Sequence, residues 1–91
     1  MRVEEIVEGK EYRLLTDIGA VGYTPYGTPS FLTLQPDTVV RVNKIIKNLF
    51  HPDGPWLHTV LVCYSEEYYT DDEDYEVFYT ALVAAHHLQE V

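Results

Sequence analysis

The 91-residue sequence predicts an all-β domain, mainly antiparallel. Three runs rich in β-branched and aromatic residues, at 38–46, 56–64 and 75–83, follow one another with turn signals between them. Gly and Pro punctuate the chain ahead of the first run, at Gly19, Gly22, Pro25, Gly27 and Pro29. Helical periodicity is scarce, and only residues 1–8 and 81–90 are open to a helical reading.

Residues 10–16 follow Gly9 and form the expected first strand, with Tyr12 and Leu14 on one face. Residues 17–30 hold the Gly and Pro positions and predict a long ordered loop, of the kind that is often functional. Its aromatics Tyr23 and Tyr26, with Phe31 beyond, suggest that it folds back on the body. Gln35, Pro36 and Asp37 form a turn, because proline presets φ, and this turn launches the strand at 38–46. There Val40 and Val42 take one face and Arg41 and Asn43 the other. The shift of pattern at Ile45 and Ile46 predicts a β-bulge.

Residues 50–55 contain Asp53-Gly54 and form the next reversal. The two strands after it, beginning at Trp56 and Tyr75, complete an antiparallel meander. Both carry apolar residues on both faces, so some of Leu57, Leu61, Phe78 and Leu82 are expected outside the core. Such residues need a cover, from the N-terminal segment or from a partner copy, which makes a homo-oligomer one expectation. The last strand of the meander should end near Val83 or Ala84. A tight turn through residues 85–88 and a short final strand at 89–91 then close the chain. The whole reads as one domain, residues 1–91, with 1–8 as an N-terminal extension and 9–91 as the β-structure.

This succession resembles the SH3-like small β-barrels. The resemblance rests on the opening at 9–16, on the turn and strand at 34–42, and on Val83, Ala85, Leu88 and Val91 in the closing segment. It implies a small barrel with a long first loop, a three-strand meander, a 3₁₀ turn and a short last strand. The Ala-Leu-Tyr-Asp-Tyr segment of the peptide-binding SH3 domains has no counterpart here, so their proline-peptide recognition is not carried over.

Charge is partitioned sharply along the chain. Residues 1–47 hold six acids and all six Lys and Arg, whereas residues 48–91 hold nine acids and no Lys or Arg. The formal net charge of −9 therefore belongs wholly to the second half. That balance argues against direct nucleic-acid binding and against docking on anionic membranes, both of which need clustered bases. One cysteine excludes an internal disulfide. With an acidic start where a signal peptide would be basic, it points to a cytoplasmic setting.

Seven of the nine acids lie between Glu66 and Glu76, interleaved with tyrosines. Glu66, Glu67, Asp71, Asp72, Glu73, Asp74 and Glu76 would supply charge, and Tyr68, Tyr69 and Tyr75 would supply anchors, for a protein partner with a basic surface. Tyr23 and Tyr26 are secondary contact candidates. A solvated loop that aids solubility is the plain alternative. A phage- or mobile-element-encoded inhibitor that mimics nucleic acid and blocks a host nucleic-acid-binding or defence protein is the other. The acidic run lacks the calcium-loop spacing, and His51, His58, His86 and His87 lack metal-site spacing, so neither metal nor cofactor is expected. The adjacent rings of His86 and His87 should diverge. Cys63, between Val62 and Tyr64, is expected to be a buried structural thiol. Without a nucleophile elbow, a phosphate loop or a paired-acid motif, catalysis is not expected.

Overall fold

Alternation of apolar and polar residues builds seven strands: β1 (Glu11–Leu14), β2 (Ile18–Tyr23), β3 (Pro29–Leu34), β4 (Val39–Ile46), β5 (Thr59–Tyr69), β6 (Asp74–Ala84) and β7 (Leu88–Glu90). Short 3₁₀ turns occupy Val3–Glu5 and Ala85–His87. The structure, a computed structural model, describes residues 1–46 and 59–91. The turn expected at 50–55, the strand start at Trp56, Leu57 and His58, and His51 lie outside the described residues. The strands form one antiparallel sheet in the order β3-β2-β6-β5-β4-β1-β7.

One face of that sheet is the core. Tyr12 and Leu14, Val40 and Val42, Val60 and Val62, and Val77, Tyr79 and Val83 are all essentially removed from water. They lie two residues apart along each strand, the period at which side chains return to one face. Leu34 of β3 and Leu88 of β7 join the same cluster. A single layer buries one face this completely only by curving around it. The edges β3 and β7 are not paired with each other.

Asp37 takes φ +72 in the turn before β4, a left-handed conformation that Asp tolerates. Its amide donates to the Leu14 carbonyl at 2.8 Å, and the Leu14 amide donates to Thr38 at 2.9 Å, so the turn fastens β4 to β1. The bulge sits two residues earlier than the pattern suggested: Val42 pairs Val62, but Lys44 pairs Leu61. The extra residue, Asn43, changes the parity of β4. Ile45 therefore packs against the core, while Lys44 stays exposed.

The excursion at 17–30 is present but is largely strand. Gly19 and Gly22 lie within β2, which pairs β3 throughout and meets β6 at Val21 and Thr80. Gly22 does not break the strand; it permits the contact. A Cβ there would lie 2.6 Å from the Phe78 carbonyl oxygen and 2.8 Å from Val77 Cγ1. Gly27, at φ +82, makes the actual reversal, closed by the Thr24 amide donating to the Thr28 carbonyl at 2.9 Å. The hairpin folds back as expected, yet Tyr23, Tyr26 and Phe31 point outward rather than packing on the body.

Residues 1–8 are docked on the sheet. Ile6 is buried in the core, and Met1 and Val3 pack against it. The buried Tyr12 hydroxyl accepts the Val7 amide at 2.8 Å, and the Met1 ammonium donates to the Leu88 carbonyl at 3.0 Å. At the other end, β6 stops at Ala84 as expected, and the final strand begins at Leu88, one residue early.

Candidate functional site

The acidic segment is a β-hairpin rather than a loop. β5 and β6 are eleven residues each and pair without a break from Thr59 opposite Ala84 to Tyr69 opposite Asp74. Only residues 70–73 form the reversal, where the Glu73 amide donates to Thr70 Oγ1 at 2.9 Å. Acidic composition suggested a loop, but the tyrosines at 68, 69 and 75 favour strand, and cross-strand pairs hold the ribbon together. Tyr68 and Tyr75 stack directly opposite each other with ring centroids 5.3 Å apart.

Pleating divides the candidate residues between two faces. Glu66, Tyr68 and Tyr75 lie on the core side, and both tyrosines pack against the core instead of standing free. The Tyr68 hydroxyl meets the Tyr79 hydroxyl at 2.6 Å, and Tyr79 meets Ser30 Oγ at 2.7 Å. This chain of three hydroxyls ties the β5–β6 hairpin to β3. Glu66 accepts the Tyr64 hydroxyl at 2.6 Å. On the outer face stand Glu67, Tyr69, Asp74 and Glu76, with Glu67 directly opposite Glu76. Tyr69, 74% exposed, donates to Glu67. At the tip Asp71, Asp72 and Glu73 are exposed, and Glu73 accepts the Tyr26 hydroxyl across from the β2–β3 turn.

Electrostatics in the hairpin work through these phenols. Hydrogen bonds to Glu73, Glu66 and Glu67 raise the pKa of Tyr26, Tyr64 and Tyr69 respectively, because a neighbouring carboxylate disfavours the phenolate. Tyr68 is pushed up to about 12, first by its hydrogen bond to Tyr79 and then by burial. All four phenols are neutral near neutral pH, and Tyr26, Tyr64 and Tyr69 donate to their carboxylates. Among the described residues the ion pairs are Lys10–Glu90 at 3.8 Å and Arg41–Glu11 at 3.3 Å, and neither involves a hairpin acid.

The outer face continues beyond the acids as an apolar field that composition did not reveal. Phe78 is 69% exposed and Leu82 56%, so the expectation that some apolar residues of β6 lie outside the core holds. Tyr23 and Phe31 extend the field onto β2 and β3. The signal was period two on β3, where Phe31 and Thr33 alternate with the inward Ser30, Leu32 and Leu34. An open groove of about 410 Å³ crosses this face, lined by Glu11, Val39, Arg41, Cys63, Ser65 and Phe78. Cys63 is therefore half-buried on the outer side rather than in the core, because Val60 and Val62 occupy the inward positions of β5.

The rings of His86 and His87 do not diverge; their centroids are 4.1 Å apart in the 3₁₀ turn. Burial lowers the pKa of His87, helped by the charge of His86 and of the N-terminus. Among the described residues no three His, Cys, Asp or Glu side chains converge to hold a metal, and no helix is long and apolar enough to cross a membrane. Comparison with protein-family models, curated proteins and solved structures gives no match.

Proposed function

We propose that the chain is a non-catalytic protein-interaction domain of SH3-like architecture that binds a basic partner surface through its acidic, Tyr-rich hairpin. The observation that carries this reading is the direct apposition of Glu67 and Glu76. Like charges opposite each other on a sheet are destabilising, and residues 48–91 supply no Lys or Arg to relieve them. A basic partner would neutralise this pair together with Asp71, Asp72, Glu73 and Asp74, while Tyr69, Tyr26 and Phe78 supply contact area beside the charge. Strand order supports the architectural part: a first strand, an inserted hairpin, a three-strand meander, a 3₁₀ turn and a last strand returning to β1.

The test is capture of the partner from the native cytoplasm, then titration of wild type and of Glu67→Gln/Glu76→Gln at several salt concentrations. Wild-type affinity should fall with salt, and the variant should bind more weakly with a flatter salt dependence. Equal affinity and equal slope for the two proteins would refute the reading. Competition by duplex DNA for the captured partner would favour nucleic-acid mimicry as the form that the interaction takes.

A further inference from the structure

The two edges of the sheet are unlike each other. β7 is three residues long, and its Glu90 is engaged by Lys10, the short and charged form in which proteins guard an exposed edge. β3 is six residues long, Pro29–Leu34, and carries no charge. Among the described residues it pairs only with β2, so one row of its backbone donors and acceptors faces outward. Among the described residues, the guard on this edge is Pro29 at its start. Phe31, in the middle of this strand, is 79% exposed and leads into the apolar field of Tyr23, Phe78 and Leu82.

We propose that β3 is a self-association edge: it pairs antiparallel with β3 of a second copy of this chain, joining two seven-stranded sheets into one continuous sheet about a two-fold axis. An axis through Leu32 sets Leu32 opposite its own copy and Phe31 opposite the second copy's Thr33. Residues of equal parity then meet, and the apolar outer faces become continuous. Charge fits this arrangement as well. The acidic tip lies at the Pro29 end of β3, where Tyr26 holds Glu73. Antiparallel pairing sends the two tips to opposite ends of the joined sheet, which lessens their repulsion without removing it. This surface is distinct from the hairpin acids and responds oppositely to salt: self-association strengthens as salt screens the −9 charge of each copy, whereas binding of a basic partner weakens.

Sedimentation equilibrium from about 1 µM to about 1 mM covers the span of weak and firm dimers. Wild type should pass from monomer to dimer, at lower concentration in higher salt. Phe31→Lys/Thr33→Lys places like charges at the paired edge on two exposed positions and should weaken the dimer by about tenfold or more. Val91→Lys, exposed just beyond β7 at the other end of the strand order, should not. Amide hydrogen exchange supplies a second readout, in which outward amides of β3 gain protection with concentration in wild type alone. A monomer throughout the series overturns the proposal and leaves the edge to an extended segment of another protein. A dimer that persists in Phe31→Lys/Thr33→Lys overturns the assignment to β3.

Discussion

Replacing Tyr79 with Phe isolates the hydroxyl chain from the packing around it. The ring of Tyr79 is fully buried, and Phe keeps its volume, so no cavity forms. What is lost is the central hydroxyl, which meets Tyr68 at 2.6 Å and Ser30 at 2.7 Å. A buried polar group left without its partner costs about 1–3 kcal/mol. Ser30 and Tyr68 are only half-buried, so water replaces part of what they lose and the lower end of that range applies. For a domain of this size, about 1 kcal/mol lowers Tm by roughly 4–8 °C. The same change has an alkaline signature. The raised Tyr68 pKa of about 12 owes most to Tyr79. A phenol whose folded pKa lies above the unfolded value of 10.0 contributes stability that is complete below that value and is lost as pH rises toward 12. In Tyr79→Phe this alkaline loss should shrink, and one tyrosine should ionise earlier by near-ultraviolet absorbance. Ser30→Ala should cost less and leave that titration largely in place. A Tyr79→Phe protein with wild-type Tm and a wild-type tyrosinate curve would refute the reasoning.

Gly22→Ala should destabilise by about 1–3 kcal/mol in urea unfolding, because the new methyl meets Phe78 backbone, which has no rotamer to escape into. Glu67→Gln/Glu76→Gln should stabilise the fold by about 0.2–1 kcal/mol in the same assay, since it removes a like-charge cross-strand pair. Loss of stability in that variant would show that the two carboxylates are not opposed in solution. His87, whose pKa is lowered mainly by burial, contributes stability that is complete above the ordinary value of 6.5. That contribution declines as pH falls below 6.5, because the unfolded chain binds the proton first. Thermal melts between neutral and mildly acidic pH should show a decline that His87→Gln lessens, and identical profiles would exclude His87 as its source.

Strand faces were legible wherever a single period ran undisturbed. Tyr12 with Leu14, and Val40 with Val42, are inward because alternation allows only one core face. The β2–β3 hairpin was not legible, because its glycines answer to a neighbour remote in sequence: Gly22 is shaped by the backbone at Phe78. The acidic hairpin was misjudged for a related reason. Composition located its charge, but the register of β5 on β6 decides that Glu67 and Tyr69 face out while Glu66 and Tyr68 face in. Phe31 and Cys63 followed the same rule, exposed or half-exposed by parity despite apolar neighbours.

β1 pairs with β7, Tyr12 opposite Glu90, while the Met1 ammonium reaches the Leu88 carbonyl. Residues through Glu90 must therefore be synthesised before β1 gains its last neighbour. Folds dominated by such distant pairings mature slowly, on the millisecond-to-second scale for small β domains. During that interval the meander can assemble while β1 waits, and the uncharged edge of β3 stands open to other nascent copies. The negative charge concentrated in the β5–β6 hairpin, translated before β7, repels those copies during that delay.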